Sequence, residues 1–298
     1  MKLIEQLRKS KLVFPCIILM ILACGAYLLN ANEGALTNLV FTVFTLLVWI
    51  VGLCLHEFAH AYSAFRFGDV SVEEKGYLTL NPLLYGDFIT SFLFPILILM
   101  IGGLPLPGGA VYLNHHTIGS KFKIMLTYLC GPFANLVFAL VLAIVFHILE
   151  NQVPQTLSDI AASGAAADAS ANTKAAVQDY LSRMNALNAG ELMPKNNDVL
   201  VSAIALAIYL QIYTAIFNLL PVPSFDGYGA ISTWFGESLR AAIRPFERFA
   251  MWGLILAFFY APQIFQGLQI AAILPMLVLG VDLGLVDTGF GFFLGRGN

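Results

Sequence analysis

The chain has 298 residues, of which 59% are hydrophobic and 11% charged, with a formal net charge of −3. A soluble globular domain carries about 25% charged residues, so a soluble enzyme or scaffold is excluded and bilayer rules govern the architecture. The net charge itself says nothing about nucleic acid, but no basic stripe that would bind it is present, so no nucleic-acid partner is expected.

A helix that crosses a bilayer needs about 20 apolar residues. Leu12–Leu29 is the first such run. Ile21-Leu22-Ala23-Cys24 loosely fits a lipoprotein cleavage box, but the apolar run continues past it, which favours an uncleaved first span. Leu39–Phe65 is the second span. Ile89–Leu104 is apolar but short, and Pro95, Gly102, Gly103, Pro105, Pro107, Gly108 and Gly109 interrupt or follow it. Val70–His116 therefore reads as a membrane-embedded or re-entrant unit, with Gly76–Leu80 a short strand. Irregular backbone at that depth must be buried in protein or line a wet cavity. Ile124–Leu149 is the third span. Leu157–Asp198, rich in Ala, Ser, Asn and Asp, is a solvated loop with a helix near Lys174–Leu187, too short for a well-cored domain. Val199–Leu220 is the fourth span, and Phe249–Tyr260 and Ile270–Val286 form a C-terminal pair. The fold class is an all-α polytopic membrane protein of about six transmembrane helices with a re-entrant, partly β segment. Residues 1–35 form the N-terminus and first span, 36–229 a core, and 230–298 a C-terminal helical hairpin. Cys16, Cys24, Cys54 and Cys130 all lie in apolar segments without ligand-like spacing and read as small core hydrophobes.

Lys and Arg set orientation. Lys2, Arg8, Lys9 and Lys11 precede the first span and put the N-terminus in the cytoplasm. If the Val70–His116 unit returns to the side it left, twelve cations fall inside and only Lys174, Arg183 and Lys195 outside. A full span at Ile89–Leu104 would spoil this bias.

The second span ends in His56-Glu57-Phe58-Ala59-His60. Histidines four apart share one helix face, so both imidazoles can bind one Zn²⁺, and Glu57 can activate water there. Ionisable groups at the edge of a span are costly and mark a functional cavity. A catalytic zinc takes three protein ligands and keeps one position open. His147 lies deep in an apolar run with no partner in its sequence neighbourhood and reads as structural. His115-His116 sits in a polar turn; the pair is a poor bidentate site, though either histidine could be the third ligand. Asp226 is the better candidate. It follows Pro221 and Pro223, which force an extended segment, and precedes Gly227, which permits a tight turn. An ordinary Asp-Gly turn at the membrane surface is the competing reading.

Taken together these residues resemble the site-2 protease family of intramembrane zinc metalloproteases, in its compact bacterial form. His56-Glu57-Phe58-Ala59-His60 matches the family's first motif and Asn218-x-x-Pro221-x-Pro223-x-x-Asp226-Gly227 its second. Gly131-Pro132-Phe133-Ala134-Asn135 matches a third element, and Leu78-Thr79-Leu80-Asn81-Pro82 looks like the segment after the first motif. The resemblance covers roughly Phe41–Gly229. It implies one zinc per chain held by His56, His60 and Asp226, and Glu57 as general base. It also suggests Asn135 and Asn218 as polar contacts to the substrate backbone. The implied reaction is hydrolysis of peptide bonds in or near transmembrane segments of membrane-protein substrates, at the cytoplasmic side of the cell membrane. Strand edges in the Val70–His116 unit would pair with the unwound substrate.

Gly108-Gly109-Ala110-Val111-Tyr112-Leu113-Asn114 lacks the Lys-Pro-Val pattern frequent in compact relatives. Neither a PDZ-sized insert nor a nucleotide-sensing domain is expected from this sequence, and selectivity is expected to come from the membrane unit or a regulatory membrane partner. The oligomeric state is open. A non-catalytic helix-binding homologue is countered by the intact Glu57 and ligand set, and a metal transporter by the absence of inverted repeats.

Overall fold

The computed structural model describes residues 10–31, 34–85, 113–150, 199–247, 249–260 and 262–295. Every regular element among them is helical, as it must be where apolar chain has to satisfy its own backbone in lipid. Helix α1 (Val13–Leu28) packs against α2 (Ala35–Arg66). With 32 residues, α2 is roughly 48 Å long and overshoots a hydrocarbon core of about 30 Å. The short α3 (Ser71–Glu74), a 3₁₀ turn at Pro82–Leu84 and α4 (His115–Ile118) follow. Next come α5 (Lys121–Glu150), α6 (Val199–Asn218), α7 (Asp226–Ser232), α8 (Glu237–Glu247), α9 (Ala250–Tyr260), α10 (Pro262–Val278) and α11 (Leu283–Phe293). Three helices, α2, α5 and α6, are long and apolar enough to cross a membrane, with shorter apolar helices beside them. This is a polytopic all-α membrane protein.

Helix α6 is the axis of the bundle. It contacts α5, α11, α10 and α2, and nearly all of its residues are buried. Small residues (Ala203, Ala205, Ala207, Ala215) let neighbours approach closely, which drives helix association in lipid. Helix α5 packs on α6 and α2 with one face only; Phe133, Leu140, Val141, Ile144 and Ile148 remain exposed on the other.

Two expectations are corrected. Gly76–Leu80 is a run of turns and not a strand: Gly76 adopts φ 78°, and the Tyr77 amide bonds back to the Val72 carbonyl at 2.9 Å. The left-handed glycine closes α3 and turns the chain before any extended pairing can begin. Ile270–Val286 is not one helix. Gly280, with φ 68°, stops α10, and Asp282 caps α11 by accepting from the Gly284 amide at 2.7 Å. The glycine- and phenylalanine-rich end thereby becomes core: Phe292 stacks on Phe41 with ring centroids 5.3 Å apart.

The ends of the Val70–His116 unit meet. The buried Asp69 carboxylate accepts from the Asn114 amide at 2.7 Å and from the Ser71 amide and hydroxyl. Residues 86–112, including Ile89–Leu104, and the loop with its helix near Lys174–Leu187 lie outside the described residues.

Candidate metal centre

His56 and His60 face α5 one helical turn apart. His56 Nδ1 meets Asn135 Oδ1 at 2.6 Å, and His60 Nδ1 meets the Thr127 carbonyl at 2.7 Å. These oxygens only accept, so each Nδ1 carries its proton and donates. In the neutral imidazoles each Nε2 keeps a lone pair, and the two Nε2 atoms lie 3.0 Å apart. Asp226 brings Oδ2 to 3.1 Å from His56 Nε2 and Oδ1 to 3.2 Å from His60 Nε2. Two lone pairs and a carboxylate thus converge in a buried space, an arrangement that repels itself without a cation. Tetrahedral ligands at 2.0–2.1 Å from zinc stand roughly 3.3 Å apart, close to the spacings observed. The nitrogen and carboxylate donors suit zinc, and both imidazoles are oriented by a hydrogen bond at the far nitrogen, as metal-binding histidines are.

Helix α5 forms the floor of this site. A β-carbon on Gly131 would overlap the Nε2 atoms of both histidines, so glycine is required by space. Pro132 sits inside the helix and removes the bond to the Tyr128 carbonyl, one residue from the carbonyl that holds His60. Thr127, Gly131 and Asn135 recur at intervals of four and share one face.

Asp226 arrives on a compact turn. Phe225 donates its amide to the Val222 carbonyl at 3.1 Å, and Ser224 holds φ 87°, a left-handed conformation rare for a residue with a side chain. Gly227 is needed for space and not for a positive φ, because a β-carbon there would overlap the Leu219 carbonyl. Gly229 lies against the Tyr128 ring with the same consequence. Helix α8 braces α7 from outside: Arg240 donates to the Ser232 and Thr233 carbonyls, and the Tyr228 hydroxyl donates to Glu247 Oε1 at 2.7 Å. Burial and the Glu247 carboxylate push Tyr228 up to about 12, so it donates as a neutral phenol.

The chain fold brings His56, His60, Asp226 and Asn135 together, and the three ligand candidates place their atoms within 4.8 Å of one another. Glu57 is buried beside them at 3% exposure. Asn135 is engaged at both ends, since its Nδ2 donates to Gln211 Oε1 at 2.8 Å. Asn218 is buried and donates to the Thr214 carbonyl on its own helix. His115 is not in the cluster: its Nε2 is 2.9 Å from the Tyr128 hydroxyl. Partial burial and then the charge of Arg240 lower the His115 pKa, so this pair is neutral at pH 7. His147 has partners that its apolar neighbourhood conceals. Its Nε2 donates to the Leu279 carbonyl at 2.7 Å, and its Nδ1 is 3.1 Å from Glu150 Oε2. Thr127, Tyr128 and Gln211 are not singled out by sequence; for Gln211 the available signal is a carboxamide in the middle of a mostly apolar span.

Comparison with known proteins agrees with this geometry. The profile of peptidase family M50 matches residues 42–260. Rip2 of Mycolicibacterium smegmatis, provisionally named a zinc metalloprotease, is 33% identical over 85% of this chain and 82% of its own length. Rip2 of Mycobacterium tuberculosis H37Rv is 31% identical over 72% of this chain and 66% of its own length. YwhC of Bacillus subtilis, also provisionally named a zinc metalloprotease, is 26% identical over 78% of this chain and 85% of its own length. No solved structure matches. The matched region runs from within α2 to the end of α9 and contains all three converging ligand candidates, and on this basis the chain belongs to peptidase family M50.

Proposed function

We propose that His56, His60 and Asp226 hold the zinc of an intramembrane metalloprotease and that Glu57 is its general base. As a member of family M50 with apolar spanning helices, the protein is a zinc metallopeptidase that hydrolyses peptide bonds in membrane-protein substrates within the bilayer. The observation that carries the ligand assignment is the convergence of two Nε2 lone pairs on one carboxylate, with both Nδ1 protons already committed. When bound, zinc supplies Lewis acidity at the scissile carbonyl and lowers the pKa of water beside it. Glu57 takes the proton of the attacking water and passes it to the leaving amine. Asn135, with both amide ends used, is assigned to holding His56. Asn218, at the end of α6 before the Asp226 turn, keeps the contact to the substrate backbone.

The same reading places residues 36–229 as the catalytic core, in the cell membrane, with the N-terminus and metal centre toward the cytoplasm. The cation bias supports this sidedness, as does the bond between Asp69 and Asn114, which returns the Val70–His116 unit to its starting point. Zinc content of the purified protein, wild type beside Asp226→Ala and Glu57→Gln, tests the site. One zinc per chain, lost in Asp226→Ala and kept in Glu57→Gln, is the expected result. Glu57→Gln should lower cleavage of a reconstituted transmembrane substrate by about 10²–10⁴-fold. Zinc retained at full occupancy in Asp226→Ala would remove the third ligand.

A further inference from the structure

Gln211 stands at the centre of α6 with 1% exposure, flanked by the buried Ile208, Leu210 and Ile212. A carboxamide in that setting is costly unless its hydrogen bonds are used. Its Oε1 accepts from Asn135 Nδ2 at 2.8 Å, and Asn135 Oδ1 accepts from His56 Nδ1 at 2.6 Å. A continuous line of hydrogen bonds therefore runs from the axis of the bundle to the ring of a ligand candidate. The facing helix makes room for it. Gly52 lies one turn before His56 on α2, and a β-carbon there would overlap the Gln211 carboxamide. Among the described residues, Gln211 Nε2 finds no acceptor; it is the oxygen that is used.

This line has two self-consistent settings. In the one observed, every group passes a proton toward α6: His56 Nδ1–H to Asn135, and Asn135 N–H to Gln211. Rotating the Asn135 amide by half a turn would present its N–H to His56 and its oxygen to Gln211. That setting needs a donor at position 211. It also puts the His56 proton on Nε2, where it faces Asp226 and His60 and blocks metal ligation. Gln211 can offer either end of its amide; with its oxygen toward Asn135, as observed, it selects the ligating setting.

We propose that Gln211 is a positioning residue for the metal centre: by accepting from Asn135 it keeps the His56 proton on Nδ1 and the Nε2 lone pair directed at the zinc. The inference rests on the assignment of His56 as a ligand. Its test uses the purified full-length protein, wild type beside Gln211→Leu, Gln211→Glu and the double variant Gln211→Leu with Asn135→Asp. Zinc affinity is read by competition with a chelator, ligand geometry from the visible spectrum of the cobalt-substituted protein, and cleavage as separate kcat and KM. Gln211→Leu should bind zinc about tenfold more weakly, shift the cobalt spectrum and lower kcat with KM unchanged. Gln211→Glu keeps an acceptor and should stay near wild type. Asn135→Asp should rescue Gln211→Leu, because a carboxylate accepts from His56 in either orientation. Unchanged affinity and spectrum in folded Gln211→Leu would overturn the proposal, as would equal losses in the Leu and Glu variants. If Gln211→Leu does not fold, Gly52→Ala displaces the carboxamide without removing it, and wild-type zinc affinity there would overturn the proposal equally. Wild-type protein that binds no zinc would instead refute the metal-centre assignment, so the two failures are distinguishable.

Discussion

Helices α5 and α6 are the two apolar helices that build the floor and the axis of the protein, and their surroundings differ sharply. Helix α6 is enclosed on every side, whereas α5 keeps one face clear of the chain. Apolarity does not separate them, because lipid tails are as apolar as leucine. The position of their polar and small residues does. Helix α6 carries Gln211, Thr214 and Asn218 on one face and Ser202 on the opposite one, all buried. Helix α5 concentrates Thr127, Gly131 and Asn135 on the face toward the histidines and leaves Phe133, Leu140 and Ile144 for lipid. In a bilayer, a helix interior to the bundle is recognised by where it hides polar groups and not by how greasy it is.

The sharpest way to break the comparison is on α5, where the faces lie two residues apart. Gly131→Ala drives a methyl group into both imidazoles. It should reduce zinc affinity by about 100-fold or more and abolish cleavage. Phe133→Ala, at a position 66% exposed, should leave zinc content and activity unchanged and stability within about 0.5 kcal/mol. Equal effects at both positions would show that the two-faced description of α5 is wrong. Zinc analysis and a cleavage assay on the pair decide it.

Glycine 131 also shows how far the sequence could be read. The His56–His60 spacing and the Asp226 turn were legible, because ligand chemistry dictates residue type and local chain chemistry dictates spacing, whereas the Gly131–Asn135 element was legible only through the family resemblance. The reason for each glycine was not legible. Gly227 looks like a turn residue and is in fact a clearance for the Leu219 carbonyl, while the positive φ falls on Ser224. Such clearances depend on which backbone arrives from elsewhere, which no local pattern encodes. The same holds for His147, whose partner carbonyl at Leu279 lies 132 residues away. The break at Gly280–Asp282 was locally encoded, by a glycine and an N-cap aspartate, but the surrounding hydrophobicity outweighed it. Gly76–Leu80 failed the opposite way: it was read as a short strand, and the left-handed Gly76 turned the chain first.

A second contrast runs between the helices themselves. Leu206 on α6 is 1% exposed and Leu140 on α5 is 50% exposed. Leu206→Ala should cost about 2–5 kcal/mol through the cavity it leaves, and Leu140→Ala less than about 0.5 kcal/mol. Thermal unfolding in a fixed detergent measures both. A large loss at Leu140 would mean that the open face of α5 is covered by another protein surface and not by lipid.

The smallest effect belongs to Tyr128, which sits where α5 meets α7. Its ring is 6.5 Å from the His60 ring, centroid to centroid, and lies on Gly229, while its hydroxyl reaches His115 at 2.9 Å. The ring therefore spaces the Asp226 helix from the histidines, and the hydroxyl ties α5 to α4 at the end of the Val70–His116 unit. Tyr128→Phe keeps the spacer and removes the tie. A single neutral hydrogen bond contributes about 0.5–1.5 kcal/mol, so the Phe variant should keep its zinc and lose a comparable amount of stability. Tyr128→Ala removes the spacer as well and should weaken zinc binding, because Asp226 loses the surface that sets its distance from His60. Zinc affinity and unfolding measured on both variants separate the two roles. Zinc loss already in Tyr128→Phe would transfer the positioning role from the ring to the hydroxyl, and would tie the metal centre directly to the segment that ends at His115.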